Sequence, residues 1–239
     1  MIARLSANAV LVHPTGVLLV HLLHMVGHPI AHEIEQFQIH GAVASLVTRD
    51  KFIDLGLPDG GSGAIWFEHK DSSNPFLSIY LACDHAPYAN VYKPNLPYAR
   101  DAVIEAIRQI LTDFHPAMIA LTHPDERDGD HRTASWFAIK ACQELLKVKG
   151  LDAQTVVVAD QAGGAGVSKP APYKYENFVV HLSGEAAALK QEMAWIYQSQ
   201  DGNHAEGARK TLAELPREEK HLRIMDWQEH EGWDEVGKN

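Results

Sequence analysis

Nine consecutive positions, 123–131, hold His123, Asp125, Glu126, Asp128, Asp130 and His131. Imidazoles and carboxylates are the side chains that ligate metals and carry protons near neutral pH. A turn between two elements needs a reversal and a cap, not six such groups. The competing reading is an acidic, well-capped loop with two exposed histidines, since helix starts favour acids anyway.

The neighbouring residues say what must position this cluster. Ala117 to Leu121 is a short apolar run of strand length, and Pro116 ahead of it closes the preceding helix. From Thr133 onward Phe137, Ala138, Ala141 and Leu145 recur at helical spacing. Asp128 and Asp130 therefore stand where N-caps and first-turn acids belong. In an open parallel sheet, ligands bind outside the carboxyl ends of strands, where helices begin.

The rest of the chain alternates in the same way. Helices are predicted over His32–Leu46, Arg100–Leu111 (with Val103, Ile107 and Ile110 on one face) and Leu189–Tyr197. Strands are predicted at Lys51–Leu55, Thr155–Ala159 and Tyr175–Leu182. Residues 62–97, rich in Ser, Asn, Pro and aromatics, read as a long excursion, either over the mouth of a site or packed on the surface. Gln161–Gly166 lacks the G-x-G-x-x-G spacing and reads as a flexible loop. The segment 217–233, with Trp227 and Trp233, reads as a charged tail packing back on the domain. The expectation is one α/β domain over 1–239, a mostly parallel sheet flanked by helices.

Asp128-Gly-Asp-His-Arg-Thr-Ala134, after an apolar strand and a His-Pro dipeptide, resembles the second signature of the zinc-dependent N-acetylglucosaminyl deacetylases, the PIG-L or LmbE-like family. Leu55-Gly-Leu-Pro-Asp-Gly-Gly61 is similar to the family's LG-x-PDG segment, and Pro97–Leu111 to the helix before the signature strand. Lys190 through Tyr197-Gln-Ser-Gln200 is similar to its late helix. The resemblance runs from Glu35 to about Trp233. It implies a single-domain Rossmann-like layered fold, a zinc cofactor, and hydrolysis of an N-acetylated sugar or related amide, with a sugar or glycoconjugate as partner. It also implies His131 as a zinc ligand, Asp130 beside it as a partner that either supports that ligand or relays a proton, and a substrate contact at His181. A histidine without a role at a strand end is the other reading of His181.

The chain departs from that pattern at its start. The family opens with His-Pro-Asp-Asp-Glu after its first strand, supplying ligands and the general base. Here Val10-Leu-Val-His-Pro-Thr-Gly16 has the His-Pro but neither carboxylate. His13 is expected as a second zinc ligand if Val10–Val12 forms the first strand. Asp128 and Gly129 stand in place of the family's His and Pro, and Asp125, Glu126 and Asp128 are candidates for the missing carboxylate, Asp128 being counted among the catalytic residues. About twenty residues separate His13 from Glu35, too few for a helix and second strand, so residues 1–31 are read as an atypical or truncated beginning. His21, His24 and His28 have helical spacing, but Pro29 favours an irregular segment. The alternative function is a catalytically impaired relative that keeps the scaffold and binds carbohydrate.

Composition sets the outer bounds. A chain of 239 residues with 46% apolar and 22% charged residues fits one globular domain. A net charge of −10 argues against nucleic acid or an anionic membrane as partner and leaves a homo-oligomer open. No stretch reaches the apolar length of a membrane span. Cys83 and Cys142 form no metal spacing and no disulfide framework, and Cys142 is expected in the core. The histidines and Pro14 interrupt any signal-peptide pattern, which gives a cytoplasmic expectation.

Overall fold

The computed structural model describes residues 9–13, 17–21, 52–160, 173–184, 187–188 and 218–230, with backbone alone for 9–13, 17–21, 52 and 218–219. The predicted helices at His32–Leu46 and Leu189–Tyr197, the Gln161–Gly166 loop, His24, His28 and Trp233 lie outside the described residues.

The described strands are β1 (Ala9–His13), β2 (Val17–His21), β3 (Phe52–Asp54), β4 (Met118–Leu121), β5 (Val156–Asp160), β6 (Tyr175–His181) and β7 (Glu218–Ile224). They form one sheet in the order β3-β1-β2-β4-β5-β7-β6. Packed with it are helices α1 (Ser62–Phe67), α2 (Arg100–Phe114) and α3 (Gly129–Lys147). The layered α/β architecture is thus present. The expectation of a mostly parallel sheet is corrected to a mixed one. Only β2–β4 and β4–β5 pair in parallel, while the other pairings are antiparallel. For β1 and β2 the reason is chain length: a parallel return needs a crossover of roughly a dozen residues or more. Only Pro14, Thr15 and Gly16 separate β1 from β2.

β4 and β5 are joined through α3, the right length of crossover for parallel neighbours. Ile119, Ala120, Leu121, Val157, Val158 and Ala159 are all buried, as befits central strands covered on both faces. The predicted face of α2 is buried at Val103, Ile107 and Ile110, and that of α3 at Phe137, Ala138, Ala141, Cys142 and Leu145. His115, with φ of 50°, ends α2 in the left-handed conformation just ahead of Pro116.

The excursion 62–97 opens with α1, and its Trp66 is fully buried. Trp66 packs edge-on against Phe137 (centroids 5.0 Å apart) and tilted against Trp136 (5.7 Å), with the Arg100 guanidinium 4.1 Å from its ring. This part of the excursion is therefore core, although Tyr80 and Tyr92 remain exposed. Gly56, with φ of +66°, carries the chain from β3 into this region. A Cβ there would meet Val91 at 2.9 Å.

The charged-tail reading of 217–233 is also corrected. Residues 218–224 form β7, inserted between β5 and β6, and Trp227 beyond it is buried. His221 and Ile224 are buried while Lys220 and Arg223 are exposed, so the segment has no two-residue alternation to give it away. Among the described residues no helix is long and apolar enough to cross a membrane.

Candidate functional site at the carboxyl edge of the sheet

The loop after β4 is fastened to the first turns of α3 by its own polar residues. The Thr122 hydroxyl donates to the His131 carbonyl at 2.5 Å, and the Ser135 hydroxyl donates to the Thr122 carbonyl at 2.6 Å. Trp136 Nε1 donates to the Pro124 carbonyl at 2.9 Å. Asp128 is the N-cap of α3, its Oδ1 accepting from the backbone N–H groups of Asp130 (3.0 Å) and His131 (3.2 Å). The carboxylate therefore sits at the positive end of a 19-residue helix, where its charge is stabilised.

Asp130 is buried and faces the turn before α1. It accepts from Gly60 N–H at 2.7 Å, from Ser62 N–H at 3.3 Å and from the Ser62 hydroxyl. Both of its oxygens are engaged there. These contacts make Asp130 a clamp between the Leu55–Gly61 segment and α3.

His131 is partly exposed, and its Nδ1 lies 3.1 Å from Glu126 Oε2. With a carboxylate as acceptor, Nδ1–H donates and Nε2 is the nitrogen left for a ligand or substrate. The hydrogen bond to Glu126 raises the basicity of the ring above its ordinary value. Burial opposes this, and the negative charges of Asp128, Glu126 and Asp130 add to it.

His123, two residues past β4, is 3% exposed. Its Nδ1 accepts the Asp125 backbone N–H at 3.1 Å, so the neutral ring carries its proton on Nε2. Burial lowers its basicity, against the opposing charges of Glu126 and Asp160. Tyr175 packs on its ring at 5.3 Å and donates its hydroxyl to Asp125 Oδ2 at 2.8 Å. Burial pushes the Asp125 carboxyl above its usual range, opposed by that hydrogen bond and by the charge of His230. Burial likewise pushes the Tyr175 hydroxyl well above its ordinary value, followed by the charge of Asp125.

Two further groups at this edge escaped the sequence reading. Asp160 ends β5, and its Oδ1 lies 3.1 Å from Nδ1 of His221, its register partner on β7. An acid closing the apolar run Val156-Val-Val-Ala159 is the kind of signal that would have found Asp160. His221 was hidden in a segment read as tail.

The predicted residues are not all brought together. Asp128, Asp130 and His131 share the start of α3. His13 does not join them. It pairs with Val17, which aligns with Met118 at the start of β4, so it lies at the opposite end of the sheet. The four residues of β4 put it on the order of 10 Å from the carboxyl edge. Val10–Val12 is a strand, as expected, but it runs antiparallel to β2, and β2 is the parallel neighbour of β4. The backbone of His21, last in β2 and one past the Val20–Leu121 pair, stands at the carboxyl edge instead. His21 is thus part of a strand rather than of a histidine-bearing helix. His181 ends β6 in register with Glu218, three positions before His221 in β7, and is exposed. It lies on the same rim as the cluster but two strands away from β5.

Zinc, the metal implied by the resemblance, finds a donor at His131. A histidine whose Nδ1–H is held by a carboxylate has the orientation of a metal ligand. A catalytic site needs three protein ligands. Among the described residues no three His, Cys, Asp or Glu side chains are grouped so as to hold a metal ion.

No protein-family model and no curated protein matches the chain. Solved structures similar to the chain include three deacetylase structures. The first is a zinc-inhibited form of teicoplanin deacetylase Orf2, at 17% identity over 52% of this chain and 51% of that one, with a TM-score of 0.39. This chain therefore spans about half the length of that protein. The second is a deacetylase of the teicoplanin biosynthesis pathway in complex with bog, at 15% identity over 81% and 73% of the two chains and a TM-score of 0.45. The third is a deacetylase of that pathway in complex with teicoplanin, at 14% identity over 86% of each chain and a TM-score of 0.45.

Proposed function

We propose that the chain is a deacetylase-type hydrolase that removes an acetyl group from an N-acetylated sugar or related amide. The observation that carries this reading is the His131–Glu126 pair, set at the start of α3 on the carboxyl edge of β4. Amide hydrolysis requires an acceptor for the proton of the attacking water, a donor for the oxyanion, and a proton for the departing amine. His131, made more basic by Glu126, is assigned the last of these. Asp128, whose charge acts on His131, is assigned the water's proton. Asp130 is a positioning residue, fixing the turn at Gly60–Ser62. His181 on the rim is assigned a contact with the sugar.

Zinc held at His131 Nε2 would take the place of the proton assigned to that ring, so the two roles are alternatives, and no step is routed through the metal, because the described residues do not complete a ligand set. The same incompleteness favours a second reading, carbohydrate binding without hydrolysis. Acetate release from N-acetylglucosamine conjugates by the purified chain and by His131→Ala separates the two. The hydrolase reading expects release that the variant loses. Sugar binding without release by either protein supports the second reading.

A further inference from the structure

We propose that the groove where α2 packs against α3 is a binding site for a small organic phosphate, separate from the carboxyl-edge site. The cavity there has a volume of about 810 Å³, within the range of small-molecule sites. None of residues 123–131 lines it. Lys140, the first lining residue on α3, lies nine positions beyond His131, on the order of 13 Å along the helix.

The lining is unlike the rest of the chain in charge. Five Lys or Arg and three Asp or Glu side chains form it, an excess of two positive charges in a chain whose net charge is −10. The acids are held by the chain's own groups. Asp101 accepts from the Ser72 N–H at 3.2 Å, the Ser72 hydroxyl at 2.8 Å and the Ala102 N–H at 2.6 Å. Glu105 accepts from Arg108 Nη1 at 2.7 Å, and Glu144 lies 3.9 Å from the same nitrogen and 4.0 Å from Lys140 Nζ.

The cations are not all answered. Among the described residues, Lys70 and Lys93 make no ion pair or hydrogen bond through their ammonium groups, nor does Arg108 make a hydrogen bond through Nη2. These three groups come from two distant points of the 62–97 excursion and from the middle of α2, yet they line one cavity. Arg100 adds a further positive wall, its guanidinium set 4.1 Å from the centre of the buried Trp66 ring and donating to the Trp66 carbonyl at 3.4 Å. A phosphoryl group carries about two negative charges and three acceptor oxygens at neutral pH, which suits several cationic donors arriving from separate segments. A carboxylate offers one charge and two oxygens in a single plane. Apolar lining is limited to Pro97, Ala102 and Ile104, while the carboxylates of Glu105 and Glu144 have lone pairs for hydroxyl groups. The organic part of the ligand is therefore polyhydroxylated, as in a sugar phosphate.

Calorimetric titration of the full chain at constant ionic strength, with glucose 6-phosphate, inorganic phosphate and glucose, tests the site. Glucose 6-phosphate is expected to bind saturably, inorganic phosphate more weakly and glucose not at all. Lys70→Gln/Lys93→Gln, at two exposed positions, should weaken glucose 6-phosphate about tenfold or more. Lys147→Gln/Lys174→Gln, at exposed positions outside the cavity, should leave its affinity unchanged. An unchanged affinity in the first double variant, or equal weakening in both, overturns the site; equal weakening would reduce the effect to overall charge. So would the absence of saturable binding up to about 10 mM. Amide NMR shifts of the wild type during the same titration give an answer without any variant. They should fall at residues 70–72 and 100–108, and shifts confined to 123–131 would overturn the site by assigning the phosphate to the carboxyl edge. None of these outcomes depends on acetate release, so the hydrolase reading stands or falls separately.

Discussion

Asp130 and Ser62, 68 positions apart, are joined twice: the carboxylate of Asp130 accepts from both the backbone N–H and the hydroxyl of Ser62. With the Gly60 N–H at 2.7 Å, this ties the turn before α1 to the first turn of α3. An Asn cannot reproduce an acceptor-only group facing several donors. Asp130→Asn is therefore expected to lose about 1–3 kcal/mol, and Asp130→Ala at least as much. The urea midpoint measures this. An unchanged midpoint combined with lost activity would restore the proton-relay role.

Glu126 sets a pH dependence whose sign follows from the shift. The folded state holds the His131 proton more tightly than the unfolded chain, whose ordinary value is 6.5. The resulting stabilisation is complete below that value and fades as pH rises through the raised folded value. The difference in Tm between wild type and Glu126→Gln should be largest near about pH 6 and smaller near about pH 8.5. A difference that does not vary with pH would show that the pair is only a neutral hydrogen bond.

Trp66 lies where α1, α2 and α3 meet, against Trp136, Phe137 and Arg100. Trp66→Ala should cost about 3–5 kcal/mol in chemical denaturation, the range for emptying a large aromatic site. A loss below about 1 kcal/mol would mean that residues 62–97 pack far more loosely than their burial implies.

His13 and His131 stand at opposite ends of the sheet. Zinc that purifies with the chain should be kept by His13→Ala and lost by His131→Ala, as metal analysis of both proteins will show. Loss in His13→Ala alone would contradict the strand register.

Much of the scaffold was legible because its signals are local. The apolar runs of β4 and β5 and the helical spacing of α2 and α3 depend on neighbouring residues alone, as does Asp128 at its cap. What escaped depended on partners distant in sequence. β7 carries charge on its exposed positions and is recognised only by its pairing with β5 and β6. His13 followed a correctly read strand, but the direction of that strand in the sheet is not encoded in its residues. Asp130 was legible as a partner of His131, while its contacts with Gly60 and Ser62 come only from the fold. His123 was visible as a residue type, while its tautomer depends on the Asp125 N–H.

The most direct test of the account is kcat/KM for acetate release from an N-acetylglucosamine conjugate by Glu126→Gln and by the wild type. If the Glu126–His131 pair carries the chemistry, the variant should fall about 10- to 100-fold while remaining folded, the loss typical of removing the carboxylate behind a working histidine. Equal rates in the two proteins would contradict the claim that this pair is the functional centre.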